Sequence, residues 1–285
     1  MSVTLRQGRP SDAEACGRIC YQAFHTIATA HNFPPDFPNV ELAMGVLSML
    51  LAHPQMYAVV AERDGTILGS NVLDERSQIA GIGPITVAPE KQNDGVGRAL
   101  MRHVIERASQ RGFPGVRLVQ AAYHTRSLSL YTKLGFDPRE SLACMQGAPL
   151  GLRLPGYGVR RASADDVAAC NDLCRRVHGH TRDGELRDAI GMGAATVVEH
   201  GGRITGYATG IAFFAHAVGE SNNDIEALIG AATDFGGPGF LVPIRNGDLL
   251  RWCLDHGLCT VQLMTLMSMG LYNEPAGAYL PSIAY

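Results

Sequence analysis

The stretch PEKQNDGVGRAL, Pro89 to Leu100, decides how the chain is read. Gln92, Asn93, Asp94, Gly95, Val96 and Gly97 stand between a Val-x-Pro strand end and a segment whose apolar residues recur at helical spacing. From Gly97 to Gln110, Leu100, Met101, Val104, Ile105 and Ala108 share one face, Arg98, Arg102, Glu106 and Arg107 take the other, and Gly112 marks the stop. The first turn of a helix leaves several N–H groups unpaired and carries partial positive charge. Two glycines at that turn let an anion approach the backbone, and a phosphate can touch several amides at once. Gly95 is also free to take a positive φ. The stretch lacks the Lys-Ser/Thr of a nucleotide-triphosphatase loop and the third glycine of a dinucleotide fingerprint. The expected ligand is therefore a pyrophosphate that is held rather than cleaved.

Around this loop the segments MYAVVAE, TILGSNVL, IGPITVAP and GVRLVQAAY read as strands. The order is strand, helices, hairpin, strand, helix, strand, helix, strand, which predicts a mixed α/β fold. The 285 residues suffice for two domains, and 46% hydrophobic with 18% charged residues is globular composition. A net charge of −3 gives no reason to expect nucleic acid or an anionic membrane surface. No apolar run reaches the ~18 residues of a membrane span, and charges occupy the place of a signal peptide's apolar region, so a cytoplasmic protein is expected. The seven cysteines form no CxxC pair. Cys16/Cys20 and Cys170/Cys174 lack further ligands nearby, so packed thiols are expected and no metal.

The two halves of the chain echo one another. LRQGRPSDAEACGRIC superposes on VRRASADDVAACNDLC at an offset of 154, Arg6 on Arg160 and Asp12 on Asp166. Ser11 with Glu14, and Ser163 with Asp166, read as capping boxes. YAVVAERDGTILGSNVL parallels ATVVEHGGRITGYATG, two hairpins turning at Asp64-Gly65 and Gly201-Gly202. SLSLYTKLGF parallels LLRWCLDHGL, a helix closing on a glycine with an apolar residue behind it. Three echoes in the same order imply duplication, with units at 1–147 and 157–285 and a Gly/Pro-rich linker at 148–156.

VAPEKQNDGVGRAL, followed by LYTKLGF at Leu130–Phe136, resembles the acetyl-CoA loop and second hallmark of the GNAT superfamily of N-acetyltransferases, here as a tandem protein with a degenerate second domain. The resemblance implies two domains, each a mixed, mostly antiparallel sheet flanked by helices. Two neighbouring parallel strands, IGPITVAP and GVRLVQAAY, splay apart to admit the pantetheine arm. It implies acetyl-CoA as co-substrate, held by Ile85, Thr86, Val87, Gln92, Asn93, Asp94, Gly95, Val96, Gly97, Arg98, His124 and Ser127. An oxyanion forming during attack would use a strand N–H such as that of Val87. Tyr131 would give the leaving thiolate a proton, since a thiol titrates near ~8.5 and a phenol near ~10. The family's usual asparagine seven residues before the tyrosine is His124 here, and no glutamate ends the first splayed strand. A water chain, His25, His31 or Glu41 are then the candidate bases, and Phe24–Asn39 is read as part of the substrate pocket.

In the second half the loop position holds GESNNDIE, so Glu220, Asp224 and Glu226 are expected to face and repel phosphates. Cys253 stands where the tyrosine would be, although Asn246 keeps the asparagine. The apolar tail GAYLPSIAY is expected to dock as a strand. The sequence thus predicts an N-acetyltransferase acting from the first half on a small-molecule or peptide amine, with a homodimer among the allowed assemblies. The alternative is a ligand-binding module that kept the fold without turnover.

Overall fold

The computed structural model describes residues 3–284, and Tyr285, the last residue of the tail GAYLPSIAY, lies outside them. In the first half, β1 (Thr4–Gln7) leads through a 3-10 turn into α1 (Ala13–Ala30) and α2 (Val40–Ala52). The hairpin β2 (Met56–Arg63) and β3 (Thr66–Asp74) follows, then β4 (Ala80–Ile82), β5 (Thr86–Val87), α3 (Val96–Gln110), β6 (Gly115–Ala121), α4 (Thr125–Lys133) and β7 (Asp137–Gln146). The second half repeats the order with β8 (Gly158–Arg161), α5 (Val167–His178), α6 (Asp183–Gly191), β9 (Thr196–His200), β10 (Arg203–Ala208) and β11 (Ala217–Gly219). It continues with α7 (Asn222–Ala231), β12 (Phe240–Pro243), α8 (Gly247–Asp255), β13 (Cys259–Gly270) and β14 (Ala278–Leu280).

The local signals act in both copies. Both hairpins turn on two positive-φ residues, Asp64 (52°) and Gly65 (76°), then Gly201 (60°) and Gly202 (76°), the twist that matches paired strands. Both α4 and α8 close on a positive-φ glycine, Gly135 or Gly257. The next amide reaches five residues back, Phe136 N–H to Tyr131 O and Leu258 N–H to Cys253 O, and buries an apolar side chain behind the turn. In each half the first-strand arginine forks onto an aspartate one turn on. Arg6 reaches Asp12 at 2.7 and 3.0 Å, and Arg160 reaches Asp166 at 2.8 Å twice. One expected cap moves: Asp12, not Glu14, closes the first turn by accepting from Arg9 N–H, while Glu14 pairs with Arg18 on the surface. Ser163 and Asp166 form the box as expected. Cys16, Cys20, Cys170 and Cys174 are buried, each thiol pushed up by loss of water.

The sheets cut across the duplicated units. One runs β1-β2-β3-β4-β6-β13-β7-β12, with β5 also on β3, and is antiparallel throughout except between β4 and β6. The other runs β14-β11-β10-β9-β8. The last long strand of the second half, β13, thus lies between β6 and β7 of the first, and β12 adds to the far side of β7. The β7–β13 pairing is reciprocal: Asp137 faces Ser268 and Gln146 faces Cys259, equivalent strands running past one another. Each half places its strand beside the other half's strand that precedes the α4 or α8 helix. Among the described residues no helix is long and apolar enough to cross a membrane.

The forked aspartates yield a test. Hydrogen bonds from the arginines hold both carboxyls below the usual range, so their stabilisation is present above the unfolded pKa of about 3.9 and is lost as pH falls through the folded values. Asp166→Asn is expected to cost roughly 1–3 kcal/mol near neutral pH. Denaturant titrations should show the gap to wild type closing below pH ~4.

Candidate active site

The parallel pair β4–β6 is short: Ala80 faces Val116, Gly81 faces Arg117, and beyond them the strands part. On the outer side of the gap β5 stays on β3, with Ala88 N–H bonded to Leu68 O at 2.9 Å. Antiparallel pairing alternates, so the preceding residue, Val87, turns its N–H and C=O away from β3 and into the gap. Its carbonyl there accepts from Gln92 Nε2 at 3.2 Å. On the inner side β6 is held by β13 along its whole length, from Gly115–Gly270 to Ala121–Met264. The opening therefore stays between two strands that are each fixed from behind.

A continuous cavity of about 600 Å³ fills this gap. Ile85, Thr86, Val87, Gln92, Asn93, Gly95, Gly97, Arg98, His124, Ser127 and Tyr131, expected from the sequence to hold the co-substrate or act on it, all line it. Asp94 and Val96 do not: Asp94 points to solvent, and Val96 is packed into the core beneath α3. Gly95 caps α3 at a φ of 83°, where any other residue would be strained. Gly97 differs. A Cβ there would meet only Val87 and Leu130 side chains at 3.7 and 3.8 Å, ordinary contact, so the protein's own packing does not demand a glycine. The space serves whatever lies against the helix N-terminus. Arg126, which the sequence reading did not single out, bridges the loop by donating to the Gln92 side-chain oxygen and to Asn93 Oδ1.

At the far side of the loop, His124 is the N-cap of α4, its Nδ1 accepting from Ser127 N–H at 3.2 Å. Burial lowers its pKa, and with Nδ1 engaged as acceptor the neutral ring carries its proton on Nε2, a donor for an amide carbonyl. Asn246 caps α8 in the same way, which explains why either residue serves at this position. Tyr131 is 7% exposed, and burial pushes its phenol up to about 12 against a hydrogen bond with Ser127 that pulls the other way. It stays protonated at neutral pH and can donate. The Thr86 hydroxyl and both amide atoms of Gln120, a residue only 6% exposed, are buried in the same cavity without a hydrogen-bond partner. Orphaned polar groups in the cleft leave hydrogen-bonding capacity that a polar ligand would use, and the glycine-cleared helix end separately suits a phosphate.

The proposed bases from the first helices lie elsewhere. His25 stacks on Tyr21, His31 sits edge-on to Tyr123, Glu41 is exposed in the first turn of α2, and none lines the cavity. Residues of the Phe24–Asn39 segment do line it, namely Phe24, Ile27, Asp36 and Phe37. The remaining wall comes from the second half: Phe213, Phe214, Met264, Ile283 and Ala284. The Ala284 carbonyl lies 2.2 Å from where a Gly81 Cβ would stand, so the tail runs directly over the β4 backbone.

The equivalent gap of the second half is closed. β14 pairs with β11 over Ala217–Leu280 to Gly219–Ala278, so the tail docks as a strand and covers the backbone that the first half leaves open. Of the three acids expected to face a ligand, Glu220 and Asp224 are engaged within the fold, and Glu226 is half-buried on α7. Asp224 is buried as the cap of α7, bonded by Ser221 and Thr205, while Glu220 pairs with Arg203 and Arg176. The amides that a phosphate would need are thus already answered from within, and a cavity of about 170 Å³ remains beside Arg245 and Asn246.

Residues 21–136 match the acetyltransferase (GNAT) family. Over nearly the whole chain the fold is similar to a candidate acetyltransferase from Pyrococcus horikoshii, at 19% identity, a TM-score of 0.75, and coverage of 97% of this chain and 94% of that one. It is also similar to a GCN5-related N-acetyltransferase from Sphaerobacter thermophilus, at 18% identity, a TM-score of 0.63, and coverage of 95% and 96%. A tandem GNAT protein from the clavulanic acid biosynthesis pathway matches at 12% identity, a TM-score of 0.56, and coverage of 94% and 98%. No curated protein matches the chain at a significant level. Gly97→Leu should leave the unfolding midpoint near wild type and weaken acetyl-CoA binding at least tenfold, as read by calorimetry beside a thermal melt. Residues 21–136 thus carry the match to the GNAT acetyltransferase family, and the chain as a whole has a fold similar to that of a tandem GNAT protein.

Proposed function

We propose that the protein transfers the acetyl group of acetyl-CoA to a primary amine of a small molecule, from one active site in the cleft of the first half. The observation that carries this reading is the cavity itself. It is continuous from the glycine loop, past the outward-turned backbone of Val87, to the Tyr131 phenol. Gly95, Gly97 and the N-terminal amides of α3 would hold the pyrophosphate, with Arg98, Arg126 and Lys133 adding positive charge along the same wall. The N–H groups turned into the gap, and His124 Nε2–H, would meet the amides of the pantetheine arm.

In the transfer, the amine lone pair forms a bond to the thioester carbon and the carbon–sulfur bond then breaks. Val87 N–H is placed to donate to the oxygen as it gains charge. The departing sulfur takes the proton of Tyr131, and the excess proton of the acceptor nitrogen leaves to a base or to water. A phenol at about 12 is a weak acid at rest, and a thiolate forming beside it in a dry site supplies the drive. Positioning by a neutral tyrosine and general-acid help contribute of the order of 10²–10⁴-fold.

Tyr131→Phe tests the assignment because it keeps the ring that packs against Phe136 and removes only the hydroxyl. Turnover is expected to fall by roughly 10²-fold or more while acetyl-CoA affinity changes by less than a few fold. Steady-state rates of thiol release, measured beside binding, decide it. Unchanged turnover would remove Tyr131 from the chemistry.

A further inference from the structure

The acceptor end of the cavity carries its own chemistry. Among the described lining residues Asp36 is the one acid, whereas Arg98 and Arg126 stand at the glycine loop where the phosphates would lie. The cavity is therefore polarised, positive where the co-substrate's phosphates would lie and negative where the acceptor enters. Asp36 sits in the loop between α1 and α2 and accepts from Gln262 Nε2 at 3.1 Å; no ion pair to it occurs among the described residues. Gln262 is 2% exposed on β13, the strand lent by the second half, and its Oε1 is buried without a partner. Burial pushes the Asp36 carboxyl up, because one neutral hydrogen bond does not replace the water it has lost. The walls around it are apolar and aromatic: Phe24, Ile27 and Phe37 from the first half, Phe213 and Met264 from the second, with Phe214 46% exposed at the rim.

We infer that the acceptor is a small cationic amine with an apolar, aromatic-sized body and no acid group beside its nitrogen, and that Asp36 pairs with its positive charge. This rests on the acetyl-transfer reading above. A carboxylate in such surroundings is costly alone and favourable with an ammonium against it, and the paired ammonium gives up one proton, to Asp36 or to water, before its lone pair attacks the thioester carbon. A second carboxylate on the ligand would meet Asp36 at close range without water between them, so amino acids are disfavoured. Phe213 and Phe214 supply the face against which an aromatic or branched body packs, which gives the second half a direct part in choosing the acceptor.

Phenethylamine and phenylalanine differ by the carboxylate alone and so isolate the effect. With saturating acetyl-CoA, wild type is expected to favour phenethylamine by at least 100-fold in kcat/KM. Asp36→Asn, which keeps the shape and the acceptor for Gln262, should raise the KM for phenethylamine at least 30-fold and leave acetyl-CoA affinity unchanged. Phe214→Ala, at an exposed site, should raise that KM several-fold with kcat little altered. Calorimetry of phenethylamine against the protein loaded with CoA gives a readout free of turnover, and Asp36→Asn should abolish the signal. Equal use of phenylalanine, an unaltered KM in Asp36→Asn, or acetyl-CoA binding with no uptake of phenethylamine would overturn the inference while leaving acetyl transfer standing. Failure of wild type to bind acetyl-CoA would bring down both.

Discussion

Everything in this molecule hangs on the pairing of β7 with β13. These are the longest strands of their halves, and their ten- and twelve-residue spans run antiparallel at the centre of the larger sheet. Because they are equivalent strands, their pairing relates the halves by an approximate twofold and makes each half's sheet incomplete alone. Among the described residues β6 has no partner on its inner side except β13, and β7 has none on its outer side except β12. The core follows the same logic: one apolar cluster joins Leu142 and Cys144 of β7 with Phe213, Leu241, Met264 and Leu266 of the second half. Neither half can be taken away without opening the other's interior.

That constraint explains how one cavity comes to be walled by both halves. The gap beside β6 stays open only because β6 is clamped from behind by β13. The same strand brings Gln262 to Asp36 and Met264 to the cavity wall. In the second half the corresponding opening is spanned by β14, and the helix behind it has its amides closed by the Ser221–Asp224 cap. The second half's own slot is filled by its own tail, which then continues over Gly81 to the neighbouring cavity. Electrostatics divides the remaining cavity, with arginines at the loop end and the half-buried Asp36 at the other.

How much of this was legible in the sequence depends on the range of the interaction concerned. Hairpins, the glycine helix stops, the loop before α3 and the tyrosine on α4 are set by residues within a few positions of each other, and the pattern announces them. The offset that matches Arg6 with Arg160 and Asp12 with Asp166 reported a real structural pair, because an arginine fork onto a helix-capping aspartate is a local device. Ser11 with Glu14 misled for the opposite reason: Asp12 had a stronger partner in Arg6 and took the cap. The exchange of β13 left no mark in the sequence, since an apolar strand does not say which chain segment it will pair with. Asp36 was hidden likewise. In the sequence it is one acid in a proline-rich loop, and only burial against Gln262, 226 positions away, gives it meaning. The acids of α7 looked like charges aimed at a ligand, and the fold turned Asp224 inward as a cap.

Counting acetyl-CoA molecules bound per chain tests the central claim, that the second half has given up its own site to build part of the other's. Calorimetry on the intact protein is expected to give one site per chain. Two sites per chain would mean that β14 does not close the second slot, and no site at all would mean that the glycine loop holds nothing in the first.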